Sequence, residues 1–141
     1  MKYLHYLTFL TFTLTAILFL LVGYWLFWPI KTMEIKNGNA VPVDQAIYHP
    51  GDRLSYTITY CKYRNIQGLV SRVLVNGVRV TYTELINNIA PGCGKTTVND
   101  LIIPIYTEPD TYHIETTVTY KLNPLRDVVV SWRSVDFKVI K

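Results

Sequence analysis

The chain has 141 residues, 14 of them Lys or Arg and 10 Asp or Glu, for a net charge of +4. Basic and acidic residues are interspersed with no run of either sign, which argues against a nucleic-acid footprint, since that needs clustered Lys and Arg. Two cysteines and three histidines without ligand spacing argue against a metal centre.

Residues 3–30 contain no Asp, Glu, Lys or Arg. At about 1.5 Å per residue, a helix of this length crosses the roughly 30 Å hydrocarbon layer with some tilt. A cleaved signal peptide has a shorter apolar region and a small-residue exit. Here the exit is Tyr24-Trp25-Leu26-Phe27-Trp28-Pro29, so an uncleaved anchor is expected over 1–32. Tyr3 and Tyr6 at one end, with Tyr24, Trp25 and Trp28 at the other, look like two belts of interfacial aromatics. Pro29 stops the helix. Lys2 lies before the span, and Lys31 and Lys36 follow it, so the positive-inside rule is nearly silent. The very short head favours a cytoplasmic N-terminus and an extracytoplasmic C-terminal domain in a single-pass cell-membrane protein.

About 110 residues remain, enough for one domain with its own core, over 33–141. No stretch there has 3.6-residue apolar spacing, whereas period-2 alternation recurs. An interrupted strand is expected within 33–47. In 54–60, Leu54, Tyr56, Ile58 and Tyr60 share a face, after the turn signal His49-Pro50-Gly51-Asp52. Segments 70–75 and 78–84 flank Asn76-Gly77, a hairpin signal because a type I′ turn needs two positive φ angles. Segment 98–105 is expected as a strand, with Pro104 placing it at an edge or bulge. In 112–120, Tyr112, Ile114, Thr116, Val118 and Tyr120 share a face. Over 128–139 the apolar phase slips between Trp132 and Val135, predicting a bulge near Arg133-Ser134.

About seven strands at this spacing make an all-β domain. The chain here resembles the immunoglobulin-like antiparallel β-sandwich. Asp110-Thr111-Tyr112 resembles the tyrosine corner that opens the penultimate strand of that fold. Two features depart from antibody domains: Ile114 stands where they carry a cysteine, and no Trp occurs in 70–75.

Cys61 and Cys93 are the only cysteines. In an extracytoplasmic domain they are expected to form one disulfide; in a cytoplasmic one they would be free thiols. Cys61 is out of phase with its strand's apolar face, and Cys93 lies in Pro91-Gly92-Cys93-Gly94. A bridge is therefore expected to pin a turn onto a strand end.

Gly92-Cys93-Gly94-Lys95-Thr96 resembles the end of a phosphate-binding loop, but Ile89 stands where the first Gly belongs, and a strand follows where a helix is needed. No nucleophile, histidine and orienting group share a readable spacing. His113 and Glu115 read as a polar surface pair. No enzymatic activity and no cofactor are expected.

Eleven tyrosines, with Tyr63, Tyr82 and Tyr106 near strand ends, fit either a contact surface or plain strand propensity. The function expected is a protein-binding or assembly module in a phage-encoded or envelope-associated setting. The expected partners are bilayer lipid, through the helix, and another membrane or envelope protein; a second copy of the chain is a further candidate. The alternative is a membrane-active lysis or superinfection-exclusion factor acting through an oligomerising anchor. Ala16 and Gly23 miss the small-xxx-small spacing that such an anchor favours.

Overall fold

The structure, a computed structural model, describes residues 2–38, 40–76, 78–87 and 89–141. One helix, α1 (Lys2–Phe27), precedes nine strands. These are β1 (Met33–Ile35), β2 (Ile47–Tyr48), β3 (Arg53–Lys62), β4 (Gly68–Asn76), β5 (Val78–Asn87), β6 (Gly92–Ile102), β7 (Asp110–Asn123), β8 (Arg126–Arg133) and β9 (Phe137–Val139).

Helix α1 touches no core. Its stretch His5–Phe27 is long and apolar enough to cross a membrane, and none of it is buried. Four threonines interrupt the apolar surface, and each satisfies its hydroxyl within the helix. Thr8 donates to the His5 carbonyl, Thr11 to Leu7, Thr13 to Phe9 and Thr15 to Thr11. This back-bonding removes the cost of a bare hydroxyl in an apolar medium. Tyr3 and Tyr6 lie exposed at one end; Tyr24, Trp25 and Trp28 lie exposed at the other, with the Tyr24 and Trp28 rings 5.0 Å apart.

The strands form two sheets. One has the order β1-β3-β6; the other has the order β2-β9-β7-β4-β5, with β8 also paired to β7. Both feed one core. Leu54, Tyr56 and Ile58 of β3 meet Leu74 of β4, Ile114, Val118 and Tyr120 of β7, and Phe137 and Val139 of β9. These are the alternating apolar positions of their strands, the period that lets one face of a pleated sheet stay dry. Hydroxyls bridge the sheets. Tyr56 Oη lies 3.0 Å from Thr116 Oγ1 and accepts from Arg72 Nε, while Tyr120 Oη contacts Met33 Sδ at 3.0 Å. Gly68 packs its backbone tightly against that core. A Cβ there would sit 2.5 Å from Val118 Cγ1 and 2.7 Å from Tyr120 Cε1.

Five expectations need correction. Among the described residues, nine strands stand where about seven were expected. The 33–47 run is mostly irregular, giving only β1, β2 and bridges at Val41 and Val43. The sheets are also not purely antiparallel, since β2 runs parallel to β9 and Val41 bridges Ser134 in parallel. The segment expected at 98–105 begins six residues earlier and ends at Ile102, because Gly92 and Gly94 are strand residues and Pro104 cannot donate to the ladder. Finally, Cys93 is not in a turn. It is the registered partner of Cys61 across β3 and β6, and the two sulfurs are bonded. The bridge joins neighbouring strands of one sheet.

The register slip near Arg133-Ser134 is present. Arg133 pairs with Glu115 through β8, but Phe137 pairs with Tyr112 through β9, so one extra residue is accommodated over 134–136. Ser134 fills the gap: its hydroxyl accepts from Ile114 N–H, and its own N–H donates to the Ile114 carbonyl. At the hairpin, Asn76 stands opposite Val78 and Val75 opposite Arg79; Gly77 lies outside the described residues.

Where the chain leaves the helix, Glu34 collects three partners. Lys31 Nζ is 2.6 Å away, Lys36 Nζ 2.8 Å, and the Tyr63 hydroxyl donates at 2.9 Å. Led by Lys31, these hold the Glu34 carboxyl down at about 2, against an ordinary 4.5. A depressed carboxylate contributes stability that is complete above pH 4.5 and lost as pH falls toward 2. Acid titration of thermal unfolding should therefore show a decline in that window that Glu34→Gln flattens. An identical decline in the variant would remove Glu34 as its source.

A candidate binding surface at the pole away from the helix

The strand directions give the 33–141 domain two poles. The β7–β8 turn, with Asn123 and Arg126, contacts the end of α1, so it marks one pole. The start of β7, the end of β4 and residues 103–109 lie at the other.

Residues 103–109 form a loop because Pro104 ends the ladder. Several bonds hold the loop in place. Gly51 N–H donates to the Ile103 carbonyl at 2.8 Å, and Ile103 N–H to the Asp52 carbonyl at 2.9 Å. Gly51 has φ 92°, a conformation that side chains resist. Thr107 N–H closes a turn onto Pro104, and the Tyr112 hydroxyl donates to the Glu108 carbonyl at 2.8 Å. The tethered loop presents Ile105 and Tyr106 to solvent, 82% and 73% exposed. Large side chains held outward on a fixed loop forgo burial, the pattern of a contact surface.

Beside them lies an open cavity of about 260 Å³. Leu74, Asn76 and Tyr112 line it from the strands; Tyr106, Thr107 and Glu108 line it from the loop, with Asp110 between. Pockets for small organic ligands run from about 300 Å³ upward, so this one suits an inserted side chain better than a cofactor. The Thr107 hydroxyl is buried without a hydrogen-bond partner among the described residues. Asp110 is held below the ordinary carboxylate range by the Thr111 N–H and then by Asn76. Burial, then the Asp110 and Glu108 charges, pushes the Tyr112 phenol up. The site is thus anionic, rimmed by apolar side chains, with a spare hydroxyl.

Of the sequence-derived positions, Asp110, Tyr112 and Asn76 converge here, and Tyr106 joins them. The aromatics expected at a membrane interface lie on α1 or, for Trp28, just past its end, at the other pole or beyond, and the Cys61–Cys93 pair lies at that pole too, near the end of β3 and the start of β6. Tyr63 is 48% exposed beside Glu34, and the Tyr82 side chain lies outside the described residues. His113 is not in the cavity. It lies 3.6 Å from Glu115 and 3.7 Å from Asp136, whose carboxylate is also paired with Arg133. Ile105, Thr107 and Glu108 were missed, because 98–105 read as strand and Glu108-Pro109-Asp110 as a plain turn. Pro104 was the available signal that the ladder ends there.

No family model matches the chain, and no curated protein matches it. Among solved structures, the chain is similar to a Pseudomonas fluorescens alkylpurine DNA glycosylase, AlkC, bound to DNA containing an abasic site analog. The identity is 13% and the TM-score 0.46, over 79% of this chain and 32% of the glycosylase. The chain spans about a third of the length of that protein.

Proposed function

We propose that this is a single-pass membrane protein whose 33–141 domain is an immunoglobulin-like β-sandwich. In this reading the domain lies outside the cytoplasm and binds another protein through the pole remote from the helix. The sheet division supports the fold reading. In this reading, strands β1, β3 and β6 correspond to the first, second and fifth strands of that fold. Strands β4, β7 and β8–β9 would then correspond to the third, sixth and seventh. Strand β5 joins the second sheet, a departure from the antibody constant domain. The Tyr112 hydroxyl donates to the Glu108 carbonyl, four residues back, a bond of the kind a tyrosine corner makes, and this supports the same reading. The bonded cysteines support an oxidising compartment.

The binding reading rests on one observation: Ile105 and Tyr106 stand exposed on a tethered loop beside an anionic cavity, at the pole opposite α1. Aromatic anchors beside a pocket of side-chain size are where interface energy concentrates. The cavity's carboxylates favour a partner that inserts Lys or Arg.

The test is in-cell crosslinking and capture of the full chain, comparing the natural protein with Ile105→Asp and Tyr106→Ala. Both positions are solvent-facing, so thermal stability should stay the same. One dominant partner should be captured, and its affinity should fall about 10- to 100-fold in each variant, the usual scale for an anchor residue. Unchanged capture in both variants would move the contact off this pole. Self-crosslinked ladders that persist when 33–141 is deleted would favour the oligomerising anchor instead.

A further inference from the structure

The β7–β8 turn does more than reverse the chain. Asn123 Nδ2 donates to the Trp25 carbonyl at 3.2 Å, and Arg126 Nη1 donates to the Trp28 carbonyl at 2.6 Å. The last carbonyls of a helix have no partner within it, and cationic donors there also complement the helix dipole. Two side chains 98 residues downstream therefore bond carbonyls at the end of α1. Asn123 also shapes the turn itself, because its Oδ1 accepts from Leu125 N–H at 2.9 Å. One amide thus ties the turn's tip to the level of Trp25.

Leu125 sits at that tip, 53% exposed. On either side of it the structure places basic residues. Arg126 and Lys121 flank the turn, Arg64 lies in the neighbouring 63–67 loop, and Lys31 follows the helix, all at the same pole. Glu34 and Asp127 are the acidic residues nearby, and Glu34 is already engaged by Lys31 and Lys36. The opposite pole carries Asp52, Glu108 and Asp110, with Arg53 and Arg79 also at that end of their strands. An apolar tip ringed by cations, fixed at the depth of interfacial tryptophans, matches an acyl boundary under anionic headgroups.

We infer that the β7–β8 turn is a second membrane contact: Leu125 enters the headgroup–acyl boundary, and Arg126, Lys121 and Arg64 meet lipid phosphates. This rests on the reading of α1 as a membrane span. It goes further, because it gives the domain a fixed seat on the bilayer, with Ile105 and Tyr106 facing away from it.

The test uses the full chain in nanodiscs of phosphatidylcholine and phosphatidylglycerol. A nitroxide is attached at Leu125→Cys, and separately at Phe12→Cys in mid-helix and Ile105→Cys at the far pole, with Cys61 and Cys93 left bonded. Collision with oxygen and with an aqueous nickel chelate reports depth. The expected result is a label at position 125 about 5–10 Å into the boundary, with position 12 in the acyl core and position 105 in water. Position 125 as open to the chelate as position 105, with position 12 still in lipid, would overturn the inference and leave the anchor standing. Position 12 open to the chelate would overturn the anchor and this inference with it.

Discussion

Replacing Cys61 and Cys93 together by serine is expected to lower the stability of the β-domain by about 3–4 kcal/mol. The two residues are 32 apart in sequence, and the loop they close contains all of β4 and β5. In the unfolded chain the bridge denies that segment most of its freedom. In the folded chain it changes little, because Thr59 opposite Lys95 and Tyr60 opposite Gly94 already hold the same ladder. The effect therefore lies in the unfolded state and should appear whether the bridge is reduced or mutated. For a domain of this size it corresponds to a melting temperature lower by roughly 15 °C. Thermal unfolding of the full chain in detergent, with and without reductant, checks it. Coincident melts would show that the bridge does not constrain the unfolded chain.

Phe137→Ala is expected to cost about 3–5 kcal/mol, the range for removing a fully buried aromatic ring. Phe137 is 1% exposed and meets the Tyr48 ring edge-on, with centroids 5.2 Å apart at 77°. It belongs to a three-residue strand that joins β2 on one side to β7 on the other, with Phe137 opposite Tyr112. The surroundings are poorly placed to collapse into the gap. Tyr48 is held by its hydroxyl, which donates to Asp44 and accepts from Gln45 N–H. Burial, then the Asp44 bond, pushes that phenol's pKa up, so Tyr48 stays neutral and bonded through the physiological range. Because Tyr112 lines the cavity, the same substitution should also weaken partner capture. Val129→Ala is the matched control. Val129 is 59% exposed on β8, and its truncation should stay within about 0.5 kcal/mol. Urea unfolding distinguishes them, and equal midpoints for the two variants would contradict the packing described for β9.

Much of this architecture is visible in the amino-acid order, for a physical reason. A half-buried strand must alternate, so Leu54-Ser55-Tyr56-Thr57-Ile58 and Tyr112 through Tyr120 declare their inner faces residue by residue. The phase slip after Trp132 marks the extra residue between Arg133 and Phe137, since a bulge moves every later side chain to the opposite face. The apolar helix is equally plain.

What alternation does not encode is less legible. Gly92-Cys93-Gly94-Lys95 has no apolar face, so the first turn of β6 looks like a loop. It is a strand because β3 offers it a ladder from Lys62 to Arg53. Strands β1, β2 and β9 are too short to display a period. The candidate site depends on a long-range meeting of β4's end, β7's start and the 103–109 loop. The seat on the helix depends on Asn123 and Arg126 reaching back across 98 residues. Neither has a local signature. Asn123-Pro124 reads as a turn, and only the fold brings it to Trp25.

We propose that the domain is anchored on the oxidising side of the membrane. Cys61 and Cys93 report on it directly. Spheroplasts of cells expressing the full chain are treated with a bulky membrane-impermeant maleimide, before and after a reductant, and again after lysis. An extracytoplasmic, bridged domain gives no labelling of intact spheroplasts without reductant, and labelling of both cysteines once they are reduced. Labelling that needs lysis but no reductant would place free thiols in the cytoplasm and overturn the extracytoplasmic placement of the domain.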